Sequence, residues 1–131
     1  MIMKKKFSKA WSRSVQPRKQ RKYRYNAPLH TKHKFISAHL DKSLRKQYKR
    51  RSLPLRTGDE VTVMRGKYRK KTGKISRVDL KSMKVFMDSA KVKKPSGQEI
   101  EVGLEPSNIK ITKINMDDKE RKKYLLKKGE R

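Results

Sequence analysis

The N-terminal part of the sequence contains a run in which cations stand beside aromatic side chains. Residues 18–25 read Arg-Lys-Gln-Arg-Lys-Tyr-Arg-Tyr, so five basic residues surround Tyr23 and Tyr25. Guanidinium and ammonium groups bind phosphates, and tyrosine rings stack on bases or riboses, so this combination indicates RNA binding. A second interpretation stays open for both tyrosines, because either ring could instead pack against the folded part of the chain.

The overall charge also favours a polyanionic partner. Forty Lys and Arg against twelve Asp and Glu give a net charge of +28 on 131 residues, a self-repulsion that a polyanion relieves and that makes a stable homo-oligomer unexpected. No apolar run approaches the ~20 residues of a bilayer span, so we expect no membrane insertion. The basic start, Met1 to Lys6, precedes no apolar core, which predicts no secretory signal and a cytoplasmic protein.

Residues that could support catalysis or metal binding do not form a recognisable pattern. The sequence has no cysteine, and the three histidines, His30, His33 and His39, lie close to Lys32 and Lys34, which would repel a cation. No Ser, His and Asp motif and no phosphate-binding glycine loop before a helix is present. We therefore expect no enzyme, no metal, no cofactor and no small-molecule substrate.

Charge and apolar residues divide the chain into three parts. Residues 1–51 hold eighteen of the forty basic residues and a single acid, Asp41, which predicts a basic arm. We expect residues 1 to about 35 to lack a fixed structure without RNA, since little apolar material offsets the entropy of ordering. Residues 52–114 are predicted to be a globular β domain that alone supplies the core, and residues 115–131 a helical tail. The core candidates are Val61, Val63, Ile75, Val78, Val85, Ile100, Val102, Ile109, Ile111 and Ile114.

Alternation of polar and apolar residues predicts short strands in the middle part. The segments are 60–64, 74–78, 84–87, a pair at 90–92 and 99–102 around a Lys-Pro-Ser-Gly-Gln turn, and 109–114. About five strands in sixty residues predict a small, strongly bent barrel of the SH3-like kind, so the fold class is mainly β.

Two helices are predicted outside the strands. One spans about 41–49, with Asp41 as N-cap, Leu40, Leu44 and Tyr48 facing the domain, and Arg45 among the outward cations. The other begins after Asp117 or Asp118 and docks through Leu125. Its cations, predicted to be free for phosphate, are Arg121, Lys122, Lys127 and Lys128. Within the arm, Pro28 disfavours helix at Ala27, so residues 26–30 are predicted to be extended.

Several segments in fixed order resemble one known family. Residues 56–67, continuing to Thr72-Gly73-Lys74-Ile75, resemble the KOW motif of the universal L-twenty-four family of large-subunit ribosomal proteins. The segments 25–30, 51–56 and 106–111 are similar to its archaeal and eukaryotic branch, the latter L-twenty-six-like. The resemblance implies an SH3-like barrel and a structural protein that binds the 5′ part of large-subunit rRNA early in assembly. It also implies a place near the polypeptide exit tunnel, with neighbouring ribosomal proteins as partners.

The sequence departs from the family pattern at two positions. Lys70 stands where relatives usually have a second glycine in the KOW loop, at a position where positive φ costs more for lysine, and Glu105 stands where many have histidine. Two rival classes share part of the pattern. A KOW transcription factor would need a polymerase-binding domain for which there is no room, and a DNA-compacting protein would not explain the ordered signatures.

We predict RNA contacts along the arm and around the loop from Gly66 to Gly73, recognising mainly shape and backbone. The predicted RNA-binding residues are Arg18, Lys19, Arg21, Lys22, Tyr23, Arg24, Tyr25, His30, Lys32, Lys34, Arg45, Lys49, Arg50, Arg51, Arg65, Gly66, Lys67, Arg69, Lys71, Gly73 and Lys74.

Overall fold

The structure, a computed structural model, describes residues 4–127. The helices of this part are α1 (Pro17–Asn26), α2 (Leu29–Phe35), α3 (Lys42–Tyr48) and α4 (Lys119–Leu126), with 3-10 turns at Lys9–Arg13 and Pro106–Asn108. The strands are β1 (Ser37–Leu40), β2 (Ser52–Pro54), β3 (Glu60–Val63), β4 (Thr72–Asp79), β5 (Lys84–Met87), β6 (Lys91–Lys93), β7 (Glu99–Glu101) and β8 (Ile109–Lys113). The fold is therefore mainly β, with two helices before the strands, α3 between β1 and β2, and α4 after the last strand. The predicted contact Lys128 lies outside the described residues.

Six strands form one mixed sheet in the order β2-β1-β8-β3-β4-β5, and β6 pairs with β7 in a separate hairpin. Neighbours in the sheet are antiparallel except β1 and β8, which run parallel with His39 opposite Lys110. The sheet is open, with β2 and β5 at its edges, so the mainly β fold that we predicted is present, but the sheet does not close into a barrel. After β5 the chain forms the β6–β7 hairpin. Beyond this hairpin it pairs with β5 at one isolated bridge, between Val85 and Leu104.

The strands of the middle part confirm the alternation in the sequence. β3, β5 and β8 lie within the predicted segments, and the apolar positions Val61, Val63, Val85, Ile109 and Ile111 are fully buried. Because successive side chains of a strand point to opposite faces, period-two patterning places these residues on the core face. Ile100 is an exception, since it lies on the projecting hairpin and is exposed.

The core also takes side chains from the arm. Ile36, Ala38 and Leu40 are buried, and Leu40 pairs with Ile111 in the middle of the sheet. The expectation that residues 52–114 alone supply the core is therefore wrong. β1 alternates polar and apolar residues, and its buried side chains belong to the same core cluster as those of β3 and of its sheet neighbour β8.

Residues 9–35, expected to lack a fixed structure, instead form a 3-10 turn and two helices. The side-chain Nε2 of Gln20 donates to the carbonyl oxygens of Ser12 at 2.9 Å and Ser14 at 2.7 Å, which ties the turn to α1. Tyr23 stacks on Phe7 at 5.3 Å between ring centroids and meets Phe35 edge-on at 5.6 Å. Aromatic packing thus replaces the broad apolar face that α1 lacks.

The extended segment predicted for residues 26–30 is shorter than expected, because α1 ends at Asn26 and α2 begins at Leu29. Ala27 has φ −59° and ψ 139°, and it separates α1 from α2, which begins at Leu29. The proline ring disfavours helix only at the preceding residue, so both flanking segments stay helical.

The two predicted helices outside the sheet are confirmed. α3 begins after Asp41, whose carboxylate accepts from Ser43 Oγ at 3.2 Å and pairs with Lys110 Nζ at 3.0 Å. These contacts, the lysine first, hold the pKa of Asp41 below its usual range. α4 begins after Asp118, whose side chain accepts from the backbone N–H of Glu120 at 2.9 Å.

Candidate nucleic-acid interface

The loop between β3 and β4, residues 64–71, carries five of the predicted contacts and is called the basic loop below. Its four predicted cations, Arg65, Lys67, Arg69 and Lys71, are all exposed, as is Gly66. Between them Tyr68 turns inward and is 9% exposed, within the core cluster. Lys71 Nζ lies 5.2 Å from the centroid of the Tyr68 ring. The buried tyrosine therefore anchors a loop whose charged side chains face solvent.

Backbone hydrogen bonds fix the path of the basic loop. Val63, at the end of β3, forms two hydrogen bonds with the last residues of the loop. Val63 N donates to Lys71 O and Lys70 N donates to Val63 O, both at 2.9 Å. Lys70 has φ 69°, the left-handed conformation that glycine adopts most readily, as we expected from its departure from the family pattern. Gly66 has φ 95°, which explains a glycine there. The loop is a closed turn that presents its cations in one place.

Gly73 and Lys74, the last two predicted contacts of this region, lie in β4. A Cβ at Gly73 would come within 2.6 Å of both Asp88 Oδ1 and Ser89 Oγ, so this glycine permits close packing of the following turn. Gly73 therefore lies within a strand and not at the end of the predicted loop from Gly66 to Gly73. Lys74 is exposed, and its backbone N–H donates to Asp88 Oδ1 at 3.1 Å.

The arm places its predicted contacts in several environments. The five cations of α1 are exposed, Tyr25 is 80% exposed, and Tyr23 is half-buried against Phe7 and Phe35. His30 and Lys34 are exposed on α2, whereas Lys32 is only 7% exposed, with Nζ 3.5 Å from the carbonyl oxygen of Lys81. The prediction that Lys32 contacts RNA thus falls on a side chain that is largely covered by protein.

One cavity brings part of the predicted set together. It has a volume of about 390 Å³ and is lined by Lys4, Trp11, Arg18, Lys19 and Lys22, and it is called the arm cavity below. Trp11 and Lys4 are not in the predicted set. From the sequence alone, Trp11 could stack on a base or stay disordered, and stacking is the favoured interpretation.

The predicted cations of α3 and of the residues just after it differ in their contacts. Lys49 and Arg51 are exposed, whereas Arg45 Nε donates to Leu40 O at 2.8 Å. The guanidinium of Arg50 lies 3.8 Å from the ring centroid of Tyr124, and its Nη2 donates to Tyr124 O at 2.7 Å. Arg50 therefore holds α4 in place, and its guanidinium is partly used before any RNA is bound.

Arg121 corrects the prediction that it is free for phosphate. It is 5% exposed and forms a two-fold ion pair with Asp59, which is 0% exposed, with Nη1 to Oδ1 at 2.6 Å and Nη2 to Oδ2 at 2.7 Å. Asp59 also accepts from the backbone N–H of Arg56 at 3.0 Å and of Asn115 at 2.8 Å. This network joins α4 to the turn before β3.

The predicted RNA-binding cations differ from the structural cations in whether they form ion pairs with carboxylates. Among residues 4–127, ion pairs join Asp41 to Lys110, Asp59 to Arg121, Glu60 to Lys113, Glu105 to Lys84, Asp118 to Arg56 and Glu120 to Lys123. Within this described part, no cation of the predicted RNA-binding set pairs with a carboxylate. The backbone N–H of Glu120, together with the guanidinium of Arg56, lowers the pKa of Asp118 from its usual value.

The structure also bears on other kinds of site. Over residues 4–127, no three His, Cys, Asp or Glu side chains lie close enough together to hold a metal ion. Within the same part of the chain, no helix has both the length and the apolar character for a membrane span. The surface that remains there is a set of cations without carboxylate partners on a fixed loop and a helical arm, and a basic surface of this kind is typical of nucleic-acid-binding proteins.

Comparison with known proteins gives the family. The family of ribosomal proteins described as L26 in eukaryotes, with its archaeal L24 counterparts, matches residues 14–128. The large ribosomal subunit protein uL24 of Methanosphaera stadtmanae is 44% identical over 115 residues, which cover 88% of this chain and 98% of that protein. The uL24 proteins of Methanocorpusculum labreanum and Korarchaeum cryptofilum are 46% and 42% identical, over 80% and 89% of this chain and 87% and 89% of their own lengths.

This chain therefore belongs to the family of eukaryotic L26 and archaeal L24 ribosomal proteins, which confirms the resemblance found in the sequence. It is a structural ribosomal protein of the large-subunit type and not an enzyme.

Proposed function

We propose that this chain binds large-subunit rRNA mainly through the basic loop. The observation that carries the proposal is the arrangement of Arg65, Lys67, Arg69 and Lys71. All four are exposed on a loop that the buried ring of Tyr68 and two backbone hydrogen bonds hold in one shape. Cations held in a fixed arrangement lose less entropy on binding phosphates, so such a loop can recognise a folded RNA surface by its backbone.

The arm adds a second group of phosphate contacts in this proposal. Successive exposed cations of α1 are one or two residues apart, so they lie on more than one side of the helix and can meet phosphates on each of those sides. Lys49 and Arg51 extend the basic surface beyond α3. Together the loop and the arm would neutralise phosphates where RNA helices converge.

The resemblance and the names of the three relatives support the finer parts of the proposal. We propose that the chain binds the 5′ part of large-subunit rRNA early in assembly and remains near the polypeptide exit tunnel, in contact with neighbouring ribosomal proteins. It would act in the cytoplasm as a single copy, since the net charge of +28 opposes self-association. The open sheet would correspond to the SH3-like fold of KOW proteins.

The proposal is tested by replacing Arg65, Lys67, Arg69 and Lys71 together with alanine. The free energy of unfolding should stay nearly unchanged or rise slightly, because the four side chains are exposed and like-charge repulsion falls. Affinity for a 5′ fragment of large-subunit rRNA should fall by about 1 kcal/mol for each phosphate that the variant no longer binds. In filter binding, the log–log slope of affinity against salt should become shallower by roughly 0.7–0.9 for each such phosphate.

A charge-matched control removes four other exposed lysines of the β domain. Replacing Lys81, Lys91, Lys93 and Lys94 with alanine changes the net charge equally, away from the basic loop. The control should lose much less affinity than the loop variant. Equal losses would mean that the total charge decides binding, and a loop variant that binds like the wild type in moderate salt would mean that the loop is only a turn.

A further inference from the structure

The arm cavity combines an aromatic ring with four cations in a space of nucleotide size. Its volume of about 390 Å³ lies within the range of roughly 300–1,000 Å³ that is typical of small-molecule sites. The ring belongs to Trp11, the only tryptophan of the chain, and Lys22 Nζ lies 4.9 Å from its centroid. Lys4, Arg18 and Lys19 complete the lining.

The geometry of the cavity is held by contacts on its far side. Gln20 Nε2 ties the backbone of the 3-10 turn to α1, and Trp11 N donates to Ser8 O at 3.2 Å. Lys22 follows Arg18 by one helical turn, so both side chains lie on the same face of α1. Tyr23 packs on another face, against Phe7 and Phe35, which orients the helix.

The charge of the cavity calls for an anion. No Asp or Glu occurs in residues 1–40 of the sequence, so four cations converge with no acidic residue near them in the chain. In the described part of the protein, none of the four forms an ion pair with a carboxylate from elsewhere. A phosphate would satisfy these cations, but it would leave the indole ring without a role.

We infer that the arm cavity binds one unpaired nucleotide of RNA, with its base stacked on Trp11 and its phosphate held by the surrounding cations. This inference rests on the proposed function, since RNA supplies the ligand. The entering base takes the ring face that Lys22 now covers, and the flexible lysine moves its ammonium to the phosphate. Duplex RNA cannot supply such a base, because its bases are stacked on each other. The cavity therefore selects a loop, a bulge or a single-stranded end.

Trp11 provides a direct measurement, because it is the sole tryptophan and base stacking quenches its fluorescence. The full chain is titrated with a hexamer of uridines and, separately, with a blunt-ended RNA duplex of equal phosphate number. The hexamer should quench Trp11 to saturation, and the duplex should quench it weakly at the same bound fraction. Trp11→Ala should weaken binding of a labelled hexamer by about tenfold, because it removes the stacking platform.

Two charge-matched variants and one neutral variant sharpen the test. Lys22→Ala and Arg21→Ala each remove one cation from neighbouring positions of α1, but only Lys22 lines the cavity. Lys22→Ala should weaken binding of the hexamer more than binding of the duplex, whereas Arg21→Ala should weaken binding of both to similar extents. Gln20→Ala removes no charge and should reduce the quenching amplitude, while far-UV circular dichroism reports whether α1 persists.

The outcomes separate this inference from the proposed function. Equal quenching by duplex and hexamer would overturn it in favour of a plain phosphate site, and a bound hexamer that leaves Trp11 unquenched would place the nucleotide elsewhere. In both cases the rRNA fragment would still bind through the basic loop, and the proposed function would stand. Failure of the wild-type chain to bind any rRNA fragment would instead remove the proposed function, and this inference with it.

Discussion

Replacing Arg121 with methionine should lower the free energy of unfolding by about 3–5 kcal/mol, because the change leaves the carboxylate of Asp59 buried without its counter-charge. Asp59 is 0% exposed and Arg121 is 5% exposed, so water cannot solvate the remaining charge without opening the structure. The substitution also removes donors to the carbonyl oxygens of Asn115 at 3.0 Å and Pro54 at 3.1 Å. Methionine keeps most of the volume, so a cavity contributes little to this loss.

A second substitution tests whether the buried charge is the cause. In the double variant with Asp59→Asn, the carboxylate charge is gone, and one amide oxygen can accept from the backbone N–H of Arg56 or of Asn115. The other donor remains unpaired, at a cost of about 1–3 kcal/mol. We therefore expect the free energy of unfolding of the double variant to be lower than that of the wild type but higher than that of Arg121→Met. Adding Asp59→Asn to Arg121→Met should thus restore part of the lost stability.

The measurement is urea unfolding followed by far-UV circular dichroism, with the midpoint and slope fitted for each variant. Lys122→Met is the matched control, because it removes the same charge from the next residue of α4, which is exposed. Its stability should stay within about 0.5 kcal/mol of the wild type. If the double variant is less stable than Arg121→Met, or if Lys122→Met costs as much, the buried charge is not what makes this position important.

Three further outcomes follow from the same geometry. Val63→Asp places a charge at a position that is 1% exposed and should unfold the sheet, whereas Thr62→Asp on the opposite face should leave a cooperative thermal transition. Lys70→Gly relieves a positive φ of 69° and should raise the free energy of unfolding by up to about 1 kcal/mol in urea, while Lys67→Gly, where φ is not positive, should lower it. Since the pKa of Asp118 is lowered, its carboxylate stabilises the fold fully above the usual value of 3.8, and this contribution is lost as pH falls through the lowered pKa. Melting temperatures between about pH 6 and pH 2 should therefore fall less steeply for Asp118→Asn than for the wild type, and identical profiles would contradict the assigned role.

The sequence predicted the strands well where one face is buried and the other is polar. β3 and β8 have this pattern over at least four residues, and their apolar positions are the ones that the structure buries. In β5, Val85 and Met87 are buried, whereas the apolar Phe86 on the other face is only partly buried. β1 has the same pattern, but it lies inside a segment whose net charge suggested an arm. Local alternation was the stronger signal there, because a strand of four residues can pair regardless of the charge on its neighbours.

Other features could not be predicted because they depend on residues distant in sequence. Arg121 stands among similar cations, and only its partner Asp59, sixty-two positions away, distinguishes it from Lys122. A weak sequence signal exists, since Arg121 precedes the buried Leu125 by one helical turn and shares its face. α1 was not predicted because helix periodicity is normally recognised by an apolar stripe, and here a glutamine and a tyrosine hold the helix instead.

The place of β8 in the sheet affects the order in which the molecule can form during synthesis. β8 lies between β1 and β3, although both of those strands are synthesised well before it. β3, β4 and β5 can pair as they emerge, but β1 and β2 have no partner in the rest of the sheet until Ile109–Lys113 is available. Folding of a nascent chain therefore waits for its last strand. A chain that stops before Ile109 would keep the inner edges of β1 and β3 unpaired, and such edges are prone to aggregate with other chains.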